Sequence, residues 1–445
     1  MVYNFWRGHP NTGLLPAREM QEILQTMASR ENQERLTTSL QYLKSDRGDP
    51  FLLKELSLFL RRHTLDDELP LENHAEEQRD EDMDMFLTHG VSHGLDMLCT
   101  AQTTEGDVVL VERPCYFLAA GIFRSHGLEV KSLPMKQRGG APVVDVGALE
   151  RGLRDGSIGV PRMIYVVPTH QNPTGITMPL DDRWRLCRLA REFGILVAAD
   201  EVYHLLDWRE DRRTRPSRFS VLDRLASSQP SLLPASDGAK KINRKTMGCS
   251  VSVSSFTKIF TPGVRCGWIE GPTEIIDSIA DLGYIQSQGG CAPFVGNVLR
   301  TALEGGLQDR ILAGLNASYQ ERCETLCDVL DSEPGIRIAC RPAGGYFVWV
   351  DFLDLPRTED ETGAGEPPSS AFASHCLRHG LRFMPGVRCD PVVDGFQQSG
   401  QPKDLCESSA RLCFADMDLH DVSDGAKLLV RLYREYVAKQ DNRAN

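Results

Sequence analysis

The chain has 445 residues, of which 41% are hydrophobic and 25% charged, and its formal net charge is −12. This length and composition suit a globular protein with one large α/β unit and a smaller appended part, or with two domains. The negative charge argues against a nucleic-acid partner, and the lack of an apolar run of membrane length argues against a membrane-spanning protein.

The thirteen cysteines are scattered and include no Cys-x-x-Cys pair. An odd, scattered set is typical of free thiols in a reducing compartment, rather than of a disulfide framework or a zinc site. The first fifteen residues show no basic-then-apolar signal pattern. The sequence therefore predicts free thiols, no metal site and a cytoplasmic location.

The N-terminal part is predicted to be an irregular arm followed by helices. Glycines and prolines interrupt residues 1–16, and apolar residues at helical spacing predict helices over 17–30 and 51–63. Residues 1–65 are assigned to an arm and helices that belong to the small domain and a dimer interface. The acidic segment 66–84 is expected to be a solvated loop or a frayed helix.

The middle of the chain alternates strands with helices. Strands are predicted at 86–88, 107–111, 127–133, 163–168, 195–199 and 249–253, and helices at 145–152, 180–193, 272–288 and 293–331. This alternation predicts an α/β three-layer sandwich with a mostly parallel sheet covered on both faces. We assign residues 85–305 to this large domain, with a polar surface insertion at 209–246 that carries one short helix at 221–225.

The C-terminal part is predicted to be a smaller α+β domain over residues 306–445. Strands are expected at 336–341, 346–352, 381–384 and 409–415, helices at 371–379 and 422–439, and a polar loop at 357–370. The long predicted helix 293–331 would link the two domains.

Polar residues follow three strands of the predicted sheet: Asn172, Asp200 and Lys258. Ligands of parallel sheets bind at the carboxyl ends of the strands. A lysine at the mouth of a buried strand suits Schiff-base chemistry, since burial favours the neutral amine. Arg265, seven residues later, suits a phosphate. A lysine with a phosphate clamp indicates pyridoxal phosphate, although taken alone the stretch also fits a solvated lysine and a surface arginine.

Four motifs resemble one family. They are Asn172-Pro173-Thr174-Gly175, Asp200-Glu201-Val202-Tyr203, Ser255-Phe256-Thr257-Lys258 with Arg265, and Ala410-Arg411-Leu412-Cys413-Phe414. Each is common alone, and the four in this order are specific. Over residues 5–436 the chain resembles the class I/II aminotransferases, which are fold-type I enzymes dependent on pyridoxal 5′-phosphate, and within them the aminoadipate- and kynurenine-type branch.

The resemblance implies Lys258, Asp200 and Tyr203 as catalytic residues. Lys258 would form the internal aldimine and then move the proton between Cα and the cofactor, which needs a neutral amine. Asp200 would keep the pyridine nitrogen protonated, so that the ring accepts electrons from Cα. Without the other motifs, Asp200 fits a turn cap equally well. Tyr203 and Asn172 would hydrogen-bond the phenolic oxygen.

The remaining cofactor contacts are implied in the same way. The turn at Val91 and Ser92 would hold the phosphate together with Ser255 and Arg265, because backbone N–H groups at a helix start bind anions. Tyr116 would stack on the ring, although a core tyrosine is the commoner fate of such a residue.

The substrate contacts and the oligomer also follow from the resemblance. Arg411 would clamp the substrate's α-carboxylate in a bidentate pair, next to Asn172. Alone, Arg411 also fits a strand arginine on a solvated face. Tyr42 would reach the phosphate from a partner subunit, making the active unit a homodimer with shared active sites. The arm, residues 5–10, would cover the site and shape the side-chain pocket.

The chain departs from the family's pattern at a few positions. Thr257 replaces the usual serine, Val91-Ser92 the usual Ser-Gln pair, and Cys115 the usual threonine before Tyr116. The predicted function is transfer of an amino group from an L-amino acid to a 2-oxo acid. The alternatives are a C–S β-lyase on cysteine S-conjugates using the same site, a non-enzymatic regulator and a degenerate scaffold. A regulator would need a DNA-binding domain, for which we expect no room, and a degenerate scaffold would have lost the site residues.

Overall fold

The structure is a computed structural model that describes residues 2–64, 84–211, 214–229, 248–356, 366–391 and 406–444. The acidic segment, apart from Asp84, lies outside the described residues. So do positions 212–213 and 230–247 of the predicted insertion and positions 357–365 of the predicted polar loop.

The strands and helices follow the predicted alternation closely. The strands are β1 Tyr3–Asn4, β2 Asp84–Thr88, β3 Val108–Val111, β4 Glu129–Ser132, β5 Met135–Arg138, β6 Ala141–Val144, β7 Met163–Val166, β8 Leu196–Asp200, β9 Ser250–Ser255, β10 Gly267–Gly271, β11 Ile336–Ile338, β12 Phe347–Phe352, β13 Leu381–Arg382, β14 Met384–Pro385 and β15 Ser409–Cys413. The helices are α1 Ala17–Met27, α2 Gln33–Thr38, α3 Pro50–His63, α4 Val91–Gln102, α5 Phe117–Ser125, α6 Val146–Asp155, α7 Leu180–Phe193, α8 Phe219–Ser228, α9 Phe256–Ile259, α10 Thr273–Ala280, α11 Gly283–Gln286, α12 Pro293–Glu304, α13 Leu307–Leu330, α14 Pro368–Arg378 and α15 Leu419–Ala444.

A seven-stranded sheet with strand order β2-β10-β9-β8-β7-β3-β4 forms the centre of the large unit. Its strands run parallel except β10, which is antiparallel to both neighbours. Alternate residues of β7 face two different hydrophobic clusters: Met163 and Tyr165 one, Ile164 and Val166 the other. Helices therefore cover both faces, and the predicted α/β fold is confirmed.

The predicted helix 293–331 is two helices. It breaks at Gly305 and Gly306, because Gly306 has a φ of +66°, in the left-handed region that suits glycine. Strand β10 was not predicted, since two glycines and a charged Glu270 hide its pattern.

Helix α8 is longer than the predicted 221–225 helix, and most of it is buried rather than exposed. Its polar residues misled the sequence interpretation because they pair internally. Arg218 forms a buried ion pair with Glu270, and Asp223 accepts a hydrogen bond from Arg191 Nε at 2.8 Å. Helix α8 thus packs against β9 and β10 of the sheet, while Glu210, Asp211 and Thr214 before it are exposed.

A second, antiparallel sheet with order β11-β12-β15-β14 forms the C-terminal unit. The N-terminal arm is attached to this unit, since β1 pairs with β13 and the Phe5 carbonyl accepts a hydrogen bond from the Cys413 amide at 2.9 Å. Further along the arm, the Trp6 carbonyl accepts a hydrogen bond from Arg411 on β15, and the Gly8 carbonyl accepts one from Lys258, just after β9.

Neither a membrane span nor a metal cluster is found in the described part of the chain. No helix there is long and apolar enough to cross a bilayer. No group of three or more His, Cys, Asp or Glu side chains there is arranged to hold a metal ion. The thirteen cysteines are free thiols.

Candidate active site

A cavity of about 670 Å³ opens at the carboxyl ends of the parallel strands. Its walls come from the arm, the start of α4, the ends of the strands and the C-terminal sheet. Lining residues are Trp6, Arg7, Gly8, His9, Pro10, Thr12, Leu15, Val91, Ser92, Tyr116, Phe117, Leu118, Val167, Asn172, Asp200, Val202, Tyr203, Ser255, Thr257, Lys258, Pro262, Arg265, Phe347, Met384 and Arg411. The volume is within the range of sites for cofactors and small molecules.

Lys258 projects into this cavity from α9, directly after β9. Its Nζ donates a hydrogen bond to the Gly8 carbonyl at 3.0 Å and lies 4.9 Å from the centre of the Tyr346 ring. Burial lowers the pKa of Lys258 to about 8, and the positive charges of Arg411 and Arg265 act in the same direction. About a tenth of the amine is therefore neutral at pH 7, far more than in a free lysine, and the neutral form is the one that a nucleophile requires.

An anion cradle lies at the start of α4. Gly90 has a φ of +90°, and a Cβ there would stand 3.4 Å from Arg265 Nη2 and 3.7 Å from Ser255 Oγ. Arg265 Nη2 also donates to the His89 carbonyl at 3.3 Å, which fixes the guanidinium beside the turn. The N–H groups at a helix start, an arginine and a hydroxyl thus converge on space that a side chain would fill, and this is the chemistry of a phosphate site.

Asp200 is buried at the end of β8. Its Oδ2 accepts a hydrogen bond from Tyr165 Oη at 2.8 Å, and its Oδ1 accepts one from the Val202 amide at 3.4 Å. Burial raises the pKa of Asp200 to about 6, while these two hydrogen bonds and the charge of Lys258 favour the ionised form. The carboxylate is mostly ionised at neutral pH and faces the cavity.

Two tyrosines form part of the same wall. Tyr203 is buried, its ring centre lies 6.0 Å from Lys258 Nζ, and burial raises its pKa well above the usual value. Tyr116 precedes α5 and is half-buried; burial also raises its pKa, so both hydroxyls are neutral donors at physiological pH. Val202, which the sequence interpretation did not single out, lines the cavity beside Asp200.

Arg411 enters from β15 and is buried. Its Nη1 donates to Asn172 Oδ1 at 3.0 Å and its Nη2 to the Trp6 carbonyl at 2.7 Å. The guanidinium lies 4.3 Å above the Phe347 ring. Arg411 Nε is buried without a hydrogen-bond partner within the described residues. A buried, unpartnered N–H of this kind favours the binding of an anionic ligand, which would accept a hydrogen bond from Nε.

The structure brings the sequence-predicted residues together with one exception. Val91, Ser92, Tyr116, Asn172, Asp200, Tyr203, Ser255, Lys258, Arg265 and Arg411 line the cavity. Tyr42 does not line it and is 76% exposed. This placement leaves its predicted role in a partner subunit as a prediction.

The sequence interpretation missed contacts that depend on backbone atoms. The carbonyls of Trp6 and Gly8 bind the arginine and the lysine, and no residue type signals such a contact. Thr257, whose Oγ1 lies 2.8 Å from Ser255 Oγ, also lines the cavity. In the sequence, the indication that Thr257 belongs to the site is its position next to Lys258.

A buried lysine, a carboxylate and an anion cradle at the strand ends of an α/β sheet define a pyridoxal-phosphate type of site. The chain belongs to the family of class I and II aminotransferases, whose family model matches residues 19–427. The cofactor of this family is pyridoxal 5′-phosphate, and the cradle at Gly90 and the unpartnered Arg411 Nε fit that cofactor and an amino-acid substrate.

Relatives and solved structures agree with the family. The chain is 29% identical over 285 residues to an aromatic amino acid aminotransferase of Schizosaccharomyces pombe, covering 62% of this chain and 58% of that protein. It is 26% identical over 360 residues to a 2-aminoadipate transaminase of Thermus thermophilus, covering 80% of this chain and 76% of that protein. The matched region thus spans less than two thirds of the fission-yeast relative.

Among solved structures, the kynurenine aminotransferase of Pyrococcus horikoshii superposes with a TM-score of 0.74 at 23% identity. The match covers 98% of this chain and 91% of that one. At this identity the likeness supports the fold.

Proposed function

We propose that the protein is an aminotransferase that moves the amino group of an L-amino acid to a 2-oxo acid. The observation that carries this proposal is one cavity in which the partly neutral amine of Lys258 lies with Asp200, the anion cradle and Arg411. The family membership and the names of the relatives support the same reaction. The Pyrococcus neighbour was crystallised with PMP.

Each residue has a role set by its geometry. Pyridoxal phosphate, when bound, supplies an aldehyde for amino groups and a ring that withdraws electrons from the substrate's Cα. Lys258 would hold the aldehyde carbon, and its neutral amine is placed to act as the general base at the substrate's Cα. Asp200 would hold the proton on the pyridine nitrogen. The turn at Gly90, with the amides of Val91 and Ser92, would bind the phosphate together with Ser255 and Arg265.

The remaining side chains orient the two ligands. Tyr203 and Asn172 would hydrogen-bond the cofactor's phenolic oxygen, and Tyr116 and Val202, which line the same cavity, would contact its ring. Arg411 binds the substrate's α-carboxylate with its Nε–H and a free Nη–H. The arm would exclude water from its side of the cavity, since its backbone carbonyls accept hydrogen bonds from both Lys258 and Arg411.

The substrate is proposed to carry a large apolar or aromatic side chain. Two aromatic residues line the cavity near Arg411: the Phe347 ring lies beneath its guanidinium, and Trp6 accepts its hydrogen bond through the backbone carbonyl. Phe117, Leu118 and Met384 continue this lining. The aromatic aminotransferase of fission yeast is a relative with a matching name.

An amino-donor panel with a 2-oxo acid tests the reaction. Production of the donor's keto acid, dependent on the acceptor, supports transamination, with aromatic donors best. Formation of pyruvate and ammonia from an S-substituted cysteine in the absence of a 2-oxo acid would instead support the β-lyase alternative. No observation on this chain favours that alternative over transamination. No turnover of any donor by protein saturated with pyridoxal phosphate would contradict both.

The active unit is proposed to be a homodimer in the cytoplasm. Exposed apolar side chains near the N-terminal helices support a covered surface: Leu40 is 72% exposed, Tyr42 76% and Phe51 58%. The free, mostly buried thiols suit a reducing compartment. Sedimentation gives the oligomeric state, and mixing inactive Tyr42→Ala with inactive Lys258→Ala tests the shared site: restored activity supports Tyr42 acting across the interface.

A further inference from the structure

Tyr165 is a fully buried tyrosine that does not line the cavity. Its hydroxyl contacts the carboxylate of Asp200, which does line the cavity. It lies on β7 and is 0% exposed. Its Oη donates to Asp200 Oδ2 at 2.8 Å. Its ring packs edge-on against Phe123, with 5.3 Å between the ring centres, so the hydroxyl is fixed in place.

The sheet register explains why this hydroxyl meets this carboxylate. Tyr165 lies beside Ala198 in the parallel pair β7–β8, and Asp200 follows Ala198 by two residues. Side chains two residues apart on a strand point to the same face, about 6.6 Å apart. A tyrosine side chain has roughly this length, so its hydroxyl arrives at the end of the neighbouring strand.

The charge on Asp200 depends on few groups. Among the residues that the structure describes, Oδ1 receives only the long 3.4 Å hydrogen bond from the Val202 amide, so Tyr165 supplies the shorter contact. The titratable groups that face Asp200 from the packed elements are Tyr165, Glu112, Tyr116, Tyr203 and Lys258. Burial raises the pKa of Glu112 to about 7, and the two carboxyl groups disfavour each other's charge.

We propose that Tyr165 is a positioning residue that keeps Asp200 ionised and aimed at the cofactor's pyridine nitrogen, and so sets the lower pH limit of cofactor binding. The inference rests on the proposed function, because it takes Asp200 as the partner of that nitrogen. Tyr165 itself touches neither cofactor nor substrate.

Tyr165→Phe removes the donor and keeps the ring. Loss of one hydrogen bond to a carboxylate raises its pKa by about one unit. Starting from a pKa of about 6 for Asp200, the ionised fraction at pH 6 falls from about a half to about a tenth. The dissociation constant of pyridoxal phosphate from the apoprotein should therefore rise about fivefold at pH 6 and by only about 10% at pH 8.

The matched control is Tyr433→Phe. Tyr433 is also a buried tyrosine whose hydroxyl donates to a carboxylate, Asp354 Oδ2 at 3.2 Å, but it lies on α15 outside the cavity lining. Its variant should keep the wild-type pH profile. An equal loss of affinity at pH 6 and pH 8 in Tyr165→Phe would show a purely structural role and overturn the proposal.

A second arm does not depend on folding of the phenylalanine variant. Replacing Tyr165 by 3-fluorotyrosine keeps the shape and makes the hydroxyl a stronger donor, so the acidic limb should move to lower pH. If the 3-fluorotyrosine variant binds pyridoxal phosphate with the wild-type pH dependence, the inference about Tyr165 is overturned. Cofactor binding, and with it the proposed function, would not be affected by that result. If wild-type protein fails to bind pyridoxal phosphate at every pH, the proposed function itself fails.

Discussion

Arg411→Ala should remove the hydrogen-bonded ion pair that we propose with the substrate's α-carboxylate. The side chain is 4% exposed, and hydrogen bonds to Asn172 and the Trp6 carbonyl fix its fork while Nε remains unpartnered. Two charge-assisted hydrogen bonds of about 1.5–3 kcal/mol each, combined less than additively, give a loss of about 3–5 kcal/mol. This corresponds to a fall in kcat/KM of roughly two to four orders of magnitude.

The assay compares each amino acid with the amine that lacks its carboxylate. Single-turnover rates are measured for wild type and Arg411→Ala with both compounds, after saturation with pyridoxal phosphate. The variant should lose its advantage for the amino acid and react with the amine as wild type does. An equal loss for the amine would show that Arg411 acts on the cofactor or the fold, and normal turnover of the amino acid would refute the carboxylate assignment.

Three further predictions concern the lysine, the cradle and the core. Because the pKa of Lys258 is about 8, the rate at which the apoprotein binds pyridoxal phosphate covalently should rise with pH up to about 8 and then level off. A lysine with an ordinary pKa would give a rate that keeps rising to higher pH. Stopped-flow absorbance measures this rate. Gly90→Ala, which forces a side chain to φ +90° beside Arg265, should weaken cofactor binding by roughly tenfold or more in equilibrium titration. Glu270→Ala removes the buried carboxylate that forms the ion pair with Arg218 and should lower the free energy of unfolding by about 3–5 kcal/mol. Urea denaturation checks this. The control is the exposed pair of Arg310 and Glu22, where Arg310→Ala should change the free energy of unfolding by less than about 0.5 kcal/mol.

The parts of the fold that follow from local pattern were predictable. Strand β7 and the first four residues of β8 are continuous apolar runs. The polar residues that follow these runs, Asn172 and Asp200, mark the edge where the parallel strands end. Lys258 was found as a lysine at the end of a predicted strand, and Arg411 through a motif that resembles the family. Their meeting in one cavity follows from the topology of the sheet, which the alternation of elements indicates.

The parts that depend on distant partners were not predictable. Helix α8 has polar residues that only their partners Arg191 and Glu270 make compatible with burial. The carbonyls of Trp6 and Gly8 bind the catalytic side chains without any side-chain signal. Helix α5 and the β5–β6 hairpin were also missed.

Reductive trapping on Lys258 tests the central claim most directly. Protein incubated with pyridoxal phosphate is reduced with borohydride and digested, and the modified peptide is identified by mass spectrometry. We expect one phosphopyridoxyl group on the peptide that contains Lys258, and none at that site in folded Lys258→Ala. An unmodified Lys258, or a label confined to other lysines, would contradict this expectation.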